Sequence, residues 1–482
     1  MNIIYIASEM EPYCKVGGLG DVIGALPERI VKKGPDVKVI IPFYGAIDEN
    51  QYDIDYDTGG LSLQIGDQKY KAEINRIKKD NFDIILIGNK ELFDREGIYA
   101  DGSGKLYKDN FLRFLFFQKA ALAYLEKNDI SPDILHCHDN QSALVPVFLK
   151  YHYGDNQLFK NTKTILTLHN IGYQGITEFH NKKLLDLPEE LFYPCQLLEW
   201  YGQINPLKAG ILSADKLTTV SKGHAREITE DERLSAGLMD VIKSRKDEVV
   251  GIVNGINENN WSPENDQYIY ENYSLASFAG KKQNKINLLK ELDFPTENLK
   301  IPLIGIISRL VEQKGIELII KRMKDILAYN TRMVILGTGA EQYQLQLEQM
   351  AQKFPERLSV NLTYNVPFSH RIIAGSDILL MPSRYEPCGI TQMMAMEYGT
   401  IPLAHRTGGL EDTITPGKTG FLFDEYNGDS MIASLDEALK TYKEPSKWED
   451  LMINGMNTDF SWDRSVDEYF SLYSKLTEEN EY

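Results

Sequence analysis

The feature that most constrains this chain is a strand-and-helix grammar that runs twice. Short apolar runs rich in β-branched residues alternate with segments of helical period: Ile3 to Ser8, Val37 to Pro42, Phe82 to Ile87, Ile134 to Cys137, Thr164 to Leu168, Leu217 to Val220 and Val249 to Val253. Strands without polar alternation are buried on both faces, which predicts a parallel sheet covered by helices. The pattern restarts with Leu303 to Ile307, Met333 to Leu336, Leu358 to Leu362, Ile378 to Met381 and Pro402 to Ala404. The expectation is therefore two doubly wound α/β domains. The polar stretch Asn254 to Asn284 between them reads as a linker or hinge. Near the end, Trp462, Val466, Tyr469, Phe470, Tyr473 and Leu476 are spaced like one face of a helix that must pack somewhere.

Composition narrows the partners. A net charge of -18 argues against nucleic acid or an anionic membrane, so an anionic ligand would need a local cluster of Lys and Arg. The most apolar long stretch, Phe111 to Leu125, is interrupted by Arg113, Gln118 and Lys119 and reads as a core helix with Asp109 as N-cap, not as a membrane span. Cys14, Cys137, Cys195 and Cys388 lie too far apart for a C-x-x-C or zinc-ligand spacing, which suits reduced thiols. Met1 and Asn2 lead straight into the first strand without a basic leader, and the expected location is cytoplasmic.

Ligands of open parallel sheets bind beyond the carboxyl ends of the strands, so the residues after each apolar run are the candidates. The turn Lys15-Val16-Gly17-Gly18-Leu19-Gly20-Asp21 offers glycines, a helix start and a cation to an anion. It is neither G-x-G-x-x-G nor a Walker A loop, and an ordinary tight turn would read the same way. Arg309 and Lys314 can clamp a diphosphate, or stand as solvated charges. In Tyr385-Glu386-Pro387-Cys388-Gly389-Ile390-Thr391 the carboxylate can accept from sugar hydroxyls, and N–H groups from Gly389 to Thr391 can meet phosphate. A Glu at an exposed turn is the plainer reading. Cys388 reads as a packed small residue, not a nucleophile. His169 with Asn170, and Asp139 after His138, sit at strand ends without a third partner at metal-ligand spacing, so no catalytic metal is expected. Tyr364 can stack on a base or serve as a rim aromatic.

Together, Lys15-Val16-Gly17-Gly18-Leu19-Gly20-Asp21-Val22, the Arg309 to Lys314 spacing and Glu386-Pro387-Cys388-Gly389-Ile390-Thr391-Gln392 resemble the bacterial glycogen synthase and plastid starch synthase family, with the motifs in order along the whole chain. The resemblance implies a GT-B glycosyltransferase fold: a Rossmann-like domain over 1–255, a second over 256–460 facing it across a cleft, and a C-terminal helix, 461–482, crossing back to the first. It implies retaining transfer of glucose from ADP-glucose to the non-reducing end of an α-1,4-glucan or malto-oligosaccharide, with no metal or other cofactor. By position, Glu386, His169, Arg309 and Lys314 would be catalytic. Lys15, Gly17, Gly18, Asp21, Asp139, Asn254, Tyr364, Cys388, Gly389, Ile390 and Thr391 would bind the donor, and Tyr99 and Asn170 would lie on the acceptor side. In two places the chain departs from relatives. Asn140 stands where the family commonly has Trp, and Met394 stands where many other retaining transferases of this fold carry a second Glu. The alternatives are a UDP-glucose-dependent enzyme of the same fold and a catalytically silent glucan-binding regulatory protein.

Overall fold

The computed structural model describes residues 1–56 and 59–478; the last four positions of the expected C-terminal segment, 479–482, lie outside the described residues. The chain divides into two compact units. Unit 1 comprises Met1–Val220, Ala225–Ile252 and Trp462–Tyr482, and unit 2 comprises Ser221–His224 and Val253–Ser461.

Unit 1 is built on strands β1 (Asn2–Ile6), β2 (Asp36–Pro42), β3 (Ile54–Tyr56), β4 (Leu61–Ile65), β5 (Gln68–Lys78), β6 (Asp83–Gly88), β7 (Ile134–His138) and β8 (Lys163–Leu168). A small separate sheet holds β9 (Thr177–Glu178), β10 (Glu199–Trp200) and β11 (Gln203–Ile204), after which β12 (Lys216–Thr219) and β13 (Val249–Gly251) return to the main one. The main order is β13-β12-β8-β7-β1-β2-β6-β5-β3, with β4 also on β5. From β13 to β6 every neighbour is parallel, as the continuous apolar runs predict. The edge differs from expectation. β5 runs antiparallel to β6, and β3 and β4 run antiparallel to β5. These strands alternate polar with apolar side chains because one face meets water, so they carry no continuous apolar run.

Two further expectations meet the structure here. The helix Asn110–Lys127 forms where the apolar stretch predicts it, with Asp109 at the N-cap position. Its carboxylate does not cap the helix, because Arg95 takes both oxygens at 2.8 and 2.7 Å. The final helix, Trp462–Glu478, buries Trp462, Val466, Tyr469, Tyr473 and Leu476, with Phe470 partly buried, and packs on the helix Gly18–Ile30. No helix among the described residues is long and apolar enough to cross a membrane.

Unit 2 holds one parallel sheet: β14 (Leu303–Ile307), β15 (Arg332–Leu336), β16 (Leu358–Asn361), β17 (Ile378–Met381), β18 (Ile401–His405) and β19 (Phe421–Phe423), in the order β16-β15-β14-β17-β18-β19. The segment from Asn254 to Asn284, read from sequence as a linker, is instead packed into this unit. Asp266 is buried, accepts from the Tyr398 hydroxyl at 2.6 Å and pairs with His370 at 2.7 Å. Asp266 finds its partners elsewhere in the unit, which composition alone cannot distinguish from solvation.

Both sheets reverse their strand order beside their first strand, between β1 and β7 in unit 1 and between β14 and β17 in unit 2. Such switch points leave a crevice outside the carboxyl ends of the strands, because the flanking crossovers run to opposite faces.

Candidate active site

At the switch point of unit 1, β1 runs into Ala7, Ser8 and Glu9. Glu9 is a buried carboxylate whose Oε2 accepts the N–H groups of Val16 at 2.7 Å and Gly17 at 2.8 Å. Its Oε1 accepts from the Tyr99 hydroxyl at 2.7 Å, and that hydroxyl also lies 2.7 Å from Ser8 Oγ. The glycine turn is thus held by the protein's own carboxylate. An anion at the helix start would be left with the N–H groups of Gly18 and Leu19, the first residues of Gly18–Ile30, which have no intrahelical acceptor. A Cβ at Gly17 or Gly18 would meet nothing within 4 Å. Among the described residues nothing requires glycine there.

Lys15 is not a free cation. Its Nζ lies 2.5 Å from Asp21 Oδ1 and 3.1 Å from Glu11 Oε2. Burial disfavours the ammonium, but the two carboxylates outweigh it and raise its pKa. Burial pushes Asp21 up to about 7, opposed by Lys15 and assisted by Glu11. A phosphate arriving at Lys15 must compete with these partners.

Asp139 follows β7 with φ of 55°, a left-handed conformation that turns its carboxylate back on the next strand end. Oδ1 accepts the N–H of His169 at 2.7 Å and of Asn170 at 3.4 Å, so the first residues after β7 and β8 are tied together. Burial raises Asp139 to about 7 in spite of these bonds, and lowers His169 to about 3. The His169 ring is therefore neutral at physiological pH. Asn140, in place of an aromatic residue, donates to the Tyr173 carbonyl at 3.0 Å and holds the loop beyond Asn170.

Unit 2 presents its own set. Lys314, in the loop after β14, reaches Glu386, in the loop after β17, with Nζ 2.5 Å from Oε2. Ser383 Oγ donates to the same oxygen at 2.9 Å. Glu386 Oε1 has no partner among the described residues and is left to accept from a ligand. The two loops touch because Gly315, with φ of 69°, brings its Cα against the Pro382 carbonyl; a Cβ there would lie 1.9 Å from that oxygen. Arg309 is exposed, with only Gln313 Oε1, at 3.4 Å, as a partner among the described residues, and is not drawn into the Lys314–Glu386 pair.

Cys388 is buried and its thiol is pushed up to about 12 by that burial, so it supplies no thiolate. Asn254 packs beside it, and Asn254 Oδ1 is buried with no partner among the described residues. Gly389 has φ of 66° and leads through Ile390 to Thr391, the first residue of the short helix Thr391–Glu397. Tyr364 lies beyond β16 with 82% of its surface exposed. Among the described residues no group of three or more His, Cys, Asp or Glu could hold a metal ion.

Each switch point thus gathers several sequence candidates: Lys15 with Asp21 and His169 with Asp139 in unit 1, Lys314 with Glu386 in unit 2. Sequence reasoning missed Glu9, Glu11 and Ser383, and placed His138 beside Asp139 at a strand end without giving it a role. Ser8, Glu9 and Ser383 are within three residues of a strand end. The strand-end rule applied to every polar residue, and not to glycines and cations first, would have included them.

The chain matches the family described as starch synthase catalytic domain over residues 2–244, and that described as glycosyl transferases group 1 over residues 290–451. It is 39% identical to a glycogen synthase of Geotalea daltonii, over 98% of both chains. Its identity to a glycogen synthase of Thermotoga maritima is 38%, over 98% of this chain and 99% of the other. Among solved structures it is similar to the catalytic domain of starch synthase IV from Arabidopsis thaliana bound to ADP and acarbose, with TM-score 0.90, 31% identity and 99% of each chain covered.

Proposed function

The chain belongs to the glycogen and starch synthase family of glycosyltransferases, and we propose that it transfers glucose from ADP-glucose to the non-reducing end of an α-1,4-glucan, with retention of anomeric configuration, as a cytosolic enzyme. The observation that carries this reading is the Lys314–Glu386–Ser383 cluster at the unit 2 switch point. It sets a cation for a departing diphosphate beside a carboxylate oxygen that is free to accept sugar hydroxyls. The choice of ADP is supported by the nucleotide bound to the starch synthase IV domain. Four free cysteines suit a reducing compartment.

In this reading Lys314 and Arg309 offset the negative charge that grows on the leaving nucleotide, the largest electrostatic demand of the step. An ammonium has three donors, of which Glu386 takes one. Holding Glu386 Oε2 with Lys314 and Ser383 fixes Oε1 for the glucose. His169 and Asp139 orient the glucosyl unit, Tyr364 stacks on the adenine, and Lys15, Gly18 and Asp21 contact the donor. Tyr99 and Asn170 belong to the acceptor side.

The test is a donor competition. The protein is incubated with labelled ADP-glucose or UDP-glucose and a malto-oligosaccharide, and the glucan length and the configuration of the new linkage are read by chromatography and proton NMR. Lengthening with α-linked glucose from ADP-glucose in preference to UDP-glucose is expected. Preference for UDP-glucose would reassign the donor, and no transfer from either would remove the proposal.

A further inference from the structure

Three histidines line one face of the unit 1 sheet beside its switch point. His136 and His138 stand two residues apart on β7, so their rings lie on the same face, tilted by 31° with centroids 4.2 Å apart. His136 is fully partnered: Nδ1 lies 2.8 Å from the Tyr473 hydroxyl, on the final helix, and Nε2 lies 2.6 Å from Thr167 Oγ1. His138 is different. Its Nδ1 lies 3.0 Å from His169 Nε2, while its Nε2 is buried without a partner among the described residues. His169 Nδ1 also has none there, but His169 is only partly buried and is the first residue after β8.

We propose that His138 is a positioning residue that locks the His169 ring into one orientation and one tautomer, with the proton on Nδ1, so that His169 offers the sugar an N–H donor and no basic nitrogen.

A neutral imidazole carries one proton and one lone pair. The single bond between His138 Nδ1 and His169 Nε2 therefore couples the two rings. If His138 donates, both rings are Nδ1–H; if His169 donates, both are Nε2–H. The second state buries the His138 Nε2 proton with nothing to receive it. The first leaves only an unused lone pair at that atom, and orphaned N–H groups are the rarer defect in folded proteins. Histidine in water leans slightly the other way, towards Nε2–H, so the buried environment must decide. Burial holds both rings neutral, as the coupling requires. The His136 ring, fixed at both nitrogens, packs against the His138 ring. The Asp139 carboxylate fixes the His169 backbone from the other side. The role proposed for the Nδ1–H rests on the glucosyl-transfer reading: a neutral donor to a hydroxyl orients the sugar without placing a positive charge beside an oxocarbenium-like transition state.

The test uses the full chain labelled with ¹⁵N-histidine, without substrate, and reads both ring nitrogens by long-range proton–nitrogen NMR. His138→Phe and His138→Asn serve for assignment and for function. The Asn amide places a donor near the position of the lost Nδ1, whereas Phe keeps the ring and removes it. The expected result is Nδ1–H at His138 and His169 in the wild type and at His169 in His138→Asn. In His138→Phe, loss of that signature and a kcat about tenfold below that of His138→Asn are expected, the worth of one orienting hydrogen bond. Nε2–H on both rings, or averaging between tautomers, overturns the proposal even if the wild type transfers glucose. Nδ1–H on both rings in a protein that transfers no glucose would leave the tautomer in place and remove the reading of the site instead.

Discussion

Lys314 and Glu386 come from loops after β14 and β17, neighbouring strands at the unit 2 switch point, and close to 2.5 Å with Ser383 on the same carboxylate oxygen. The pair is mostly buried, so removing one partner leaves the other desolvated and misplaced. Lys314→Ala and Glu386→Ala should each lower kcat by at least about 100-fold, the usual cost of a preorganised transition-state contact. The double variant should be little worse than the poorer single one, because the residues act as a unit. Steady-state kinetics of the three proteins, with circular dichroism to confirm folding, checks both statements; fully additive losses would mean that the two act separately.

Tyr364 is a contrasting case, since it is 82% exposed. If it stacks on the donor base, Tyr364→Ala should raise KM for ADP-glucose by about 5- to 150-fold, from about 1–3 kcal/mol per stacked base, with kcat and melting temperature almost unchanged. An unaltered KM would reduce Tyr364 to a surface residue.

The sequence made the parallel strands legible because burial on both faces forces continuous apolar runs, as in Leu303–Ile307 and Ile378–Met381, whose ends match the expectation. It left the antiparallel edge unread because β4 and β5 alternate and β3 is only three residues long. In the site, Glu386, Lys314, His169 and Asp139 were legible because chemistry-bearing residues follow buried strands. What sequence could not show was how these charges are spent. Lys15 appears as a spare cation until Asp21 and Glu11 are seen to hold it. Nor does a lone Glu9 announce that it will fasten the glycine turn, because that depends on a hydrogen-bond direction set only in three dimensions.

Asp139 makes a pH prediction whose sign is definite. Its folded pKa, about 7, lies above the usual 3.8, so the folded protein keeps a proton that the unfolded chain has already released. The stability this contributes is complete below pH about 4 and is lost as pH rises through 7. Asp139→Asn removes the dependence, so its melting temperature relative to wild type should climb between pH 4 and pH 8. His136, His138 and His169, all depressed by burial, act oppositely: their contribution is present above pH about 6.5 and lost on acidification. They occur in both proteins and cancel in the difference. A relative melting temperature that stays flat or falls with pH would contradict the assigned protonation.

Two glycines of unit 2 share one positive φ but not one environment, and they separate backbone strain from the placement of the site. Gly315 and Gly417 both have φ of 69°; a Cβ on Gly315 would lie 1.9 Å from the Pro382 carbonyl, whereas on Gly417 it would meet nothing within 4 Å. An alanine in the left-handed region costs about 1–2 kcal/mol at either position. Each substitution should therefore lower the melting temperature by at least about 2 °C. Only Gly315→Ala must also push the β14 and β17 loops apart, separating Lys314 from Glu386. Its kcat should fall, while Gly417→Ala keeps wild-type kcat in spite of its lower stability. If Gly315→Ala lost stability alone, the close approach of the two loops would be a packing feature with no hold on the chemistry.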